Sequence, residues 1–191
     1  RDDAGVVVSA PGTFISLVGN GHISFVLSQL YPATAEKRGT IEFDTPAGGR
    51  ISVLGIRTTP IGNSTTLTTI PALANVGTSG GSIAHLATGN GWQPTFVLVN
   101  TGSTAAQAHL NFFADNGSPL ILPLAFPQSG NGTTETAATV DRTLAAGASL
   151  IVQSMAPVSD PAPTIGSAQL TTDGNVGGFV IFRYSLNGQE A

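Results

Sequence analysis

The chain has 191 residues, of which 41% are hydrophobic and only 9% are charged. This length suits one or two domains, and the net charge of −4 argues against nucleic acid or an anionic membrane surface as the partner, because both are bound by basic patches. The absence of cysteine excludes disulfides and thiolate zinc sites.

The first predicted unit spans residues 1–75. Short alternating or apolar runs predict strands at 6–9, 13–18 and 22–28. The Gly-Asn-Gly sequence at 19–21 predicts a tight turn, since both residue types accept a positive φ. Residues 33–37 give the only helical turn that we predict.

A segment of this unit recurs later in the chain. Residues 37–57, KRGTIEFDTPAGGRISVLGIR, match residues 164–184, TIGSAQLTTDGNVGGFVIFRY, with one residue deleted. In each copy an alternating run reaches a turn and a second apolar run follows, which predicts a β-hairpin with one buried face. Matches of 20–27 with 146–153, and of 3–5 with 115–117, extend the repeat upstream. A repeat of this length predicts tandem units.

The second predicted unit spans residues 83–191, after a flexible Gly/Ser linker at 76–82. Turn residues recur between short apolar runs, and no segment has the pattern of a long helix. The sequence therefore predicts an all-β protein of two tandem β-sandwich units. The strands predicted in the second unit are 83–87, 95–100, 106–113, 120–124, 138–144 and 148–154, followed by the repeated segment.

The two copies of the repeat differ in extent. Residues 83–114, which precede the repeat in the second unit, have almost no counterpart in the first, and residues 64–75 have almost none in the second. We therefore expect the first unit to lack its opening strands and the second to be C-terminally incomplete. A sandwich without these strands has open edges and an uncovered core. We therefore expect either that the sequence is a window on a longer tandem array or that a neighbouring segment or subunit completes the unit.

One run of the second unit carries a family resemblance. Residues 96–113, FVLVNTGSTAAQAHLNFF, are similar to a strand-turn-strand of bacterial immunoglobulin-like modules. The matching residues are Val97, Val99, Asn100, Gly102, Ala105, Ala106, Leu110 and Phe112. More widely, RGTIEFDTPAGG, HLATGNGW and GSAQLTTDG resemble tandem repeats of uncharacterised secreted bacterial surface proteins. This resemblance implies immunoglobulin-like β-sandwiches in an extracellular setting at the cell surface, and no defined activity.

The sequence holds little that indicates catalysis. Residues 77–81 fit the G-x-S-x-G pattern of serine hydrolases, but they lie in the predicted linker with no helix after them. His22, His85 and His109 have no histidine partner two or four residues away, so structural or surface roles are the simpler interpretation. We predict that the chain is not an enzyme and needs no cofactor.

Calcium is the one metal for which the sequence offers candidate ligands. It prefers six to eight oxygen ligands, and two turns carry acidic or amide side chains, at residues 2–3 and 115–116. A solvated turn is the simpler interpretation of each. Arg57 and Arg183 hold equivalent positions in the repeat, which predicts a shared structural role such as an ion pair with Glu42 or closure of the sandwich edge.

Surface features leave two further interpretations open. Asn63, Asn116 and Asn131 begin N-x-S/T patterns, which are glycosylation acceptors where the cell has the machinery. Trp92, the one tryptophan, is expected to be a core or inter-domain anchor, with a sugar-stacking platform as the alternative.

Together these features predict a structural subunit of an extracellular bacterial filament, pilus-like fibre or surface stalk. Copies of the chain would assemble by β-strand complementation, and a head-to-tail contact that does not close propagates into a filament. The predicted assembly groove of the first unit is lined by Ile15, Phe25, Ile41, Val53 and Ile56. The alternative is an adhesin or carbohydrate-binding β-sandwich module of a larger secreted protein. It predicts an exposed aromatic or calcium-bearing loop near Trp92 or 128–137, with a glycan as the partner.

Overall fold

The computed structural model describes residues 1–8, 14–61, 64–130, 132–186 and 189–190. Strands make up 47% of the chain and helix 4%. Every pairing between its named strands is antiparallel. The prediction of an all-β protein is confirmed.

The first part of the chain forms little regular structure. Its helical residues are one turn, α1 (Leu27–Leu30), and a 3-10 turn at Pro32–Thr34. The helical turn predicted at 33–37 therefore begins earlier, where Pro32 sets the φ of a first helical residue. Among the residues described, no helix combines the length and apolar character needed to cross a bilayer.

The strands predicted before residue 54 do not form in the described residues. Residues 6–8, 14–18 and 22–26 lie outside any strand, and 9–13 fall outside the described residues. The last part of the run predicted at 22–28 belongs to α1 instead. An extended segment is stabilised as a strand by pairing with a neighbour, and no sheet reaches these segments.

A two-stranded hairpin follows. Strands β1 (Leu54–Ile61) and β2 (Ser64–Pro71) pair along their full length but join no other strand. Their large apolar side chains are exposed, with Leu54, Ile56 and Leu67 each more than 60% accessible. Isolated two-stranded hairpins are marginally stable in water and normally need packing against other elements. This hairpin lacks such packing, because it joins no other described strand and its large apolar side chains are exposed.

Residues 81–186 and 189–190 form two antiparallel sheets around one core, and we call them the two-sheet region. One sheet has the order β3-β10-β5-β8, and the other has the order β12-β11-β4-β9-β6-β7. The strands are β3 (Gly81–Thr88), β4 (Trp92–Asn100), β5 (Ala106–Ala114), β6 (Leu122–Ala125), β7 (Thr134–Ala137), β8 (Thr139–Leu144), β9 (Ser149–Ser154), β10 (Thr164–Thr172), β11 (Val176–Leu186) and β12 (Gln189–Glu190).

The core lies between the two sheets. Alternate residues of β4 and β5 are buried, and the rings of Phe96 and Phe112 meet across the interface with centroids 5.2 Å apart. Leu86, Leu124 and Val152 are also fully buried in this cluster. The arrangement is sandwich-like: each sheet turns one face toward the other.

The repeated segment at 164–184 is not the predicted hairpin. Its two strands, β10 and β11, belong to different sheets. Both alternate because each buries one face, but they lie in different sheets on the same core instead of pairing. Ala168 and Leu170 enter the core from one sheet and Val176 enters it from the other.

The Asn100 side chain fixes the connection between β4 and β5. Its Nδ2 donates to the carbonyl oxygens of Thr104 (2.8 Å), Leu144 (2.9 Å) and Ala145 (3.1 Å). Its Oδ1 accepts from the Gly102 amide at 2.9 Å, and the residue is fully buried. Asn100 and Gly102 build this turn, and the asparagine also ties it to the end of β8.

Candidate assembly surface

Large exposed apolar side chains are concentrated in residues 1–75, which we call the N-terminal region. Phe14 is 99% accessible and Val18 is 80% accessible, values typical of an unfolded chain. The two-sheet region exposes few such side chains, with Ile121 the most accessible at 65%. The others in the N-terminal region are Val6, Val7, Leu17, Ile23, Phe25, Val26, Leu30, Ile41, Phe43, Ile51, Leu54, Ile56 and Leu67.

The five predicted groove residues all lie in this region. Phe25, Ile41 and Ile56 are exposed, and Ile15 and Val53 are half-buried. Phe25 meets the ring of Tyr31 edge-on at 6.4 Å, and Ile56 lies on the β1–β2 hairpin. That these residues line one groove stays a prediction.

Residues 1–2 pair with the start of the first repeated segment. Asp2 and Gly39 form an antiparallel bridge, as Gly166 of β10 does with the end of β5. A Cβ on Gly39 would lie 1.9 Å from the carbonyl oxygen of Arg1, and one on Gly166 would lie 2.1 Å from that of Phe113. Both positions therefore require glycine, and the same close strand crossing occurs twice in the chain.

A second local geometry also occurs twice. Gly5 has a φ of 87°, and its amide donates to the Asp2 carbonyl at 3.0 Å. Gly117 has a φ of 79°, and its amide donates to the Ala114 carbonyl at 2.8 Å. The matched sequences 3–5 and 115–117 thus make the same turn at the same distance from the same bridge.

Asp3 joins the N-terminal region to the two-sheet region. Its carbonyl oxygen accepts from the Ser149 amide at 3.0 Å, and its Oδ1 accepts from the Ser149 hydroxyl at 2.8 Å. Its Oδ2 accepts from Arg38 Nε at 2.6 Å. The side chain is only 19% accessible, so this small network is largely shielded from water.

We expect Asp3→Ala to loosen this junction. The loss of two side-chain hydrogen bonds, one of them charged, should weaken local closure by about 1–3 kcal/mol. Amide hydrogen exchange at Ser149 should accelerate accordingly. The matched control is Glu42→Gln, which removes the exposed Arg1–Glu42 pair and should change exchange little, because exposed ion pairs contribute about 0–1 kcal/mol. Equal exchange rates in the two variants would contradict the assigned role of Asp3.

The other candidate groups take local structural roles. The imidazole of His109 contacts the Asp141 carboxylate across β5 and β8, and His85 lies 5.8 Å from the Phe182 ring. Asp2 Oδ1 accepts from the backbone amides of Ala4 and Val6. Within the described residues, no group of three or more metal-binding side chains comes together.

The predicted linker is partly structured. β3 begins at Gly81, so the G-x-S-x-G pattern runs into a strand and not into a helix. The Val76 carbonyl accepts from Asn175 Nδ2 at 2.8 Å, and Val76 packs against Gly177 of β11. The linker is therefore anchored at its first residue.

Trp92 lies in an aromatic cluster at one end of the core. Its ring is 4.8 Å from that of Tyr184 and meets Phe182 edge-on at 6.4 Å. All three side chains are half-buried. Trp92 is thus a packing residue with part of its ring in solvent.

The structure describes only some of the remaining predicted surface groups. Asn63 and Asn131 fall outside the described residues. Asn116 is exposed, and its Oδ1 accepts from both the amide and the hydroxyl of Ser118. The carboxylate predicted to pair with Arg57, that of Glu42, instead contacts Arg1 Nε at 3.2 Å.

Comparisons with models of protein families, with curated proteins and with solved structures find no match to this chain.

Proposed function

We propose that this chain is a structural subunit of an extracellular bacterial filament, pilus-like fibre or surface stalk, assembled by β-strand complementation between immunoglobulin-like units. The observation that carries the proposal is the contrast between the two parts of the chain. The two-sheet region has a closed core, whereas the N-terminal region has a similar apolar content with no sheet to bury it. In the proposal, the N-terminal region is the incomplete unit.

The exposed apolar surface of the N-terminal region supports the proposal that it binds a partner. Monomeric proteins rarely expose large contiguous apolar patches, and larger ones mark interaction sites. The free edges of β1 and β2 present unpaired backbone groups, which a strand from another molecule would satisfy. Such an addition stabilises a complex through main-chain hydrogen bonds and apolar burial together.

The repeated bridge and turn support tandem units. A bridge at Gly39 and a turn at Gly5 match those at Gly166 and Gly117, so one short piece of backbone geometry recurs in both parts of the chain. Units of one kind, one closed and one open, give a head-to-tail contact, and such contacts form filaments when they do not close into a ring. The low charge of 9% fits a surface that is covered in an assembly.

Electron microscopy of the native material, before and after boiling in detergent, tests the proposal. Filaments that dissociate into chains of about this length indicate non-covalent complementation. Filaments that yield only much longer chains indicate a covalent tandem stalk. Discrete monodisperse particles contradict the filament proposal.

The aromatic cluster at Trp92 supports the alternative of an adhesin or carbohydrate-binding module. Half-buried rings at the end of a sandwich can stack on a sugar while part of each ring packs on the protein. In the structural proposal the cluster serves packing alone.

We therefore expect Trp92→Ala to lower the free energy of unfolding by about 2–4 kcal/mol, because a half-buried ring loses its contacts with Tyr184 and Phe182. Trp92→Phe keeps an aromatic ring and is the matched control, with a smaller loss. Urea unfolding followed by circular dichroism measures both. Glycan binding by the wild type that Trp92→Ala abolishes without loss of stability would favour the alternative.

A further inference from the structure

In the two-sheet region, β4 and β5 are interior strands, one in each sheet. β4 lies between β11 and β9, and β5 lies between β10 and β8. Each of these two strands therefore holds two others in its sheet. Without β4 and β5, β11 would no longer be joined to β9, and β10 would no longer be joined to β8.

Aligned on the repeat, the N-terminal region has counterparts of the strands beside these two but of neither of them. Segments 22–27, 40–45 and 53–57 match β9, β10 and β11 by sequence, and extending the first match upstream without a gap pairs 14–18 with 140–144 of β8. Residues 1–2 stand where β5 ends, next to the repeated glycine bridge. No residue of the region matches 81–112.

Core positions of the two-sheet region match exposed positions of the N-terminal region. With exposed fractions, the pairs are Val140 (1%) and Phe14 (99%), Val152 (0%) and Val26 (55%), and Leu170 (7%) and Phe43 (40%). All three core residues border β4 or β5, since they pair with Phe96 or Leu110.

We propose that the partner of the N-terminal region is a three-stranded segment with the chemistry of residues 81–112, additional to the one that the two-sheet region contains. This inference rests on the proposed strand complementation and names its donor. Like β4 and β5, the central strands of the donor carry no Asp, Glu, Lys or Arg and place large apolar residues at alternate positions. One strand inserts between 22–27 and β1, and the other inserts between 40–45 and 14–18.

The donor is a segment other than the β3–β5 strands of a second copy. Those strands already fill the core of their own two-sheet region. A copy that lent them would open one core to close another, with no net gain in buried apolar area. A donor that stabilises the assembly must therefore be additional to residues 81–112 of each copy.

The matched strands also fix the register of the donor. Phe96 pairs with Val180 on one side and Val152 on the other, and their counterparts are Leu54 and Val26. A large apolar residue of the donor is therefore placed between Leu54 and Val26. By the same argument, the counterpart of Leu110 in the second donor strand lies between Phe14 and Phe43.

The test is the full chain with a second copy of 81–112 joined directly to Arg1. The added copy is joined at this point because residues 1–2 are the counterparts, in the repeat, of the last two residues of β5. We expect amide exchange across 14–54 to slow by about 100-fold or more when the open unit closes. The control carries Phe96→Asp in the added copy alone, which should leave exchange fast.

A cross-link tests the register even if closure is only transient. The native chain has no cysteine, and Val97 pairs with Phe179, the counterpart of Val53. Val53→Cys with Val97→Cys in the added copy should form a disulfide, whereas Val99→Cys in the added copy should not, because two residues along a strand carry the thiol about 6.6 Å away.

Failure of this inference is distinguishable from failure of the proposed function. Unchanged exchange with no cross-link, or equal protection in the Phe96→Asp control, overturns the inference even if the native chain forms filaments. Equal protection of 14–54 when the unextended chain self-associates would overturn it as well, since a second copy would then be the occupant. Closure of the extended chain while the native material forms no filaments would uphold the inference and remove the filament proposal.

Discussion

Phe14→Ser, Val26→Thr and Leu54→Thr, made together, are expected to abolish filament formation without changing the stability of the two-sheet region. These side chains are 99%, 55% and 63% accessible in the chain alone, so their loss removes little packing there. In a complemented unit each would be buried, and each lost apolar side chain removes about 1.5–3 kcal/mol of burial. Negative-stain electron microscopy and sedimentation measure the assembly.

A matched triple variant separates this effect from a general change in surface polarity. Ile121→Ser, Met155→Ser and Val158→Thr replace exposed apolar residues of the two-sheet region, which are 65%, 46% and 46% accessible. This variant should form filaments like the wild type. Filaments that persist in the first variant, or disappear in both, would contradict the assembly role of the N-terminal region.

Alternation and turn residues were enough to predict most strands of the two-sheet region. The run at 106–113 became β5 because its small and apolar residues alternate with polar ones, and the observed burial alternates in the same way. β8 and β9 begin within one residue of their predictions. β7 was missed, because TETA carries no large apolar residue and its pairing with β6 is a tertiary effect.

Alternation predicts which face of a strand is buried, but not which strand lies beside it. The same pattern arises whether two strands pair in one sheet or face each other across a core. This is why 164–184 was predicted to be a hairpin although β10 and β11 lie in different sheets. The short connection at 173–175 permits both arrangements.

The candidate site shows the same limit. Phe25 was predicted to line the groove, but the repeat matches its neighbour Val26 to the buried Val152. Which face of an unpaired strand points inward depends on its partner, and the described N-terminal region contains no such partner. The signal that identifies Val26 and Phe14 is the repeat, extended residue by residue onto a closed copy.

Replacing Asn100 is expected to give the largest loss of stability from a single polar side chain. Asn100→Ala removes the amide that donates to the carbonyl oxygens of Thr104, Leu144 and Ala145, of which only that of Ala145 has a second donor, the Ala148 amide, among the described hydrogen bonds outside the strand pairings. Because each buried group left unsatisfied costs about 1–3 kcal/mol, we expect the free energy of unfolding to fall by about 3 kcal/mol or more. Urea unfolding followed by the fluorescence of Trp92, the one tryptophan, reports on this region.

Two further variants identify the cause of that loss. Asn100→Asp keeps the size of the side chain and an acceptor for the Gly102 amide, but it replaces the donor with an oxygen that faces three carbonyls. It should therefore destabilise at least as much as Asn100→Ala, whereas a loss due to volume alone would spare it. Asn111→Ala, which removes one half-buried amide that accepts from Thr139, should cost about 1 kcal/mol. If all three variants lost a similar free energy of unfolding, the hydrogen bonds of Asn100 would contribute no more than that of the half-buried Asn111. The β4–β5 turn would then be held by its backbone alone.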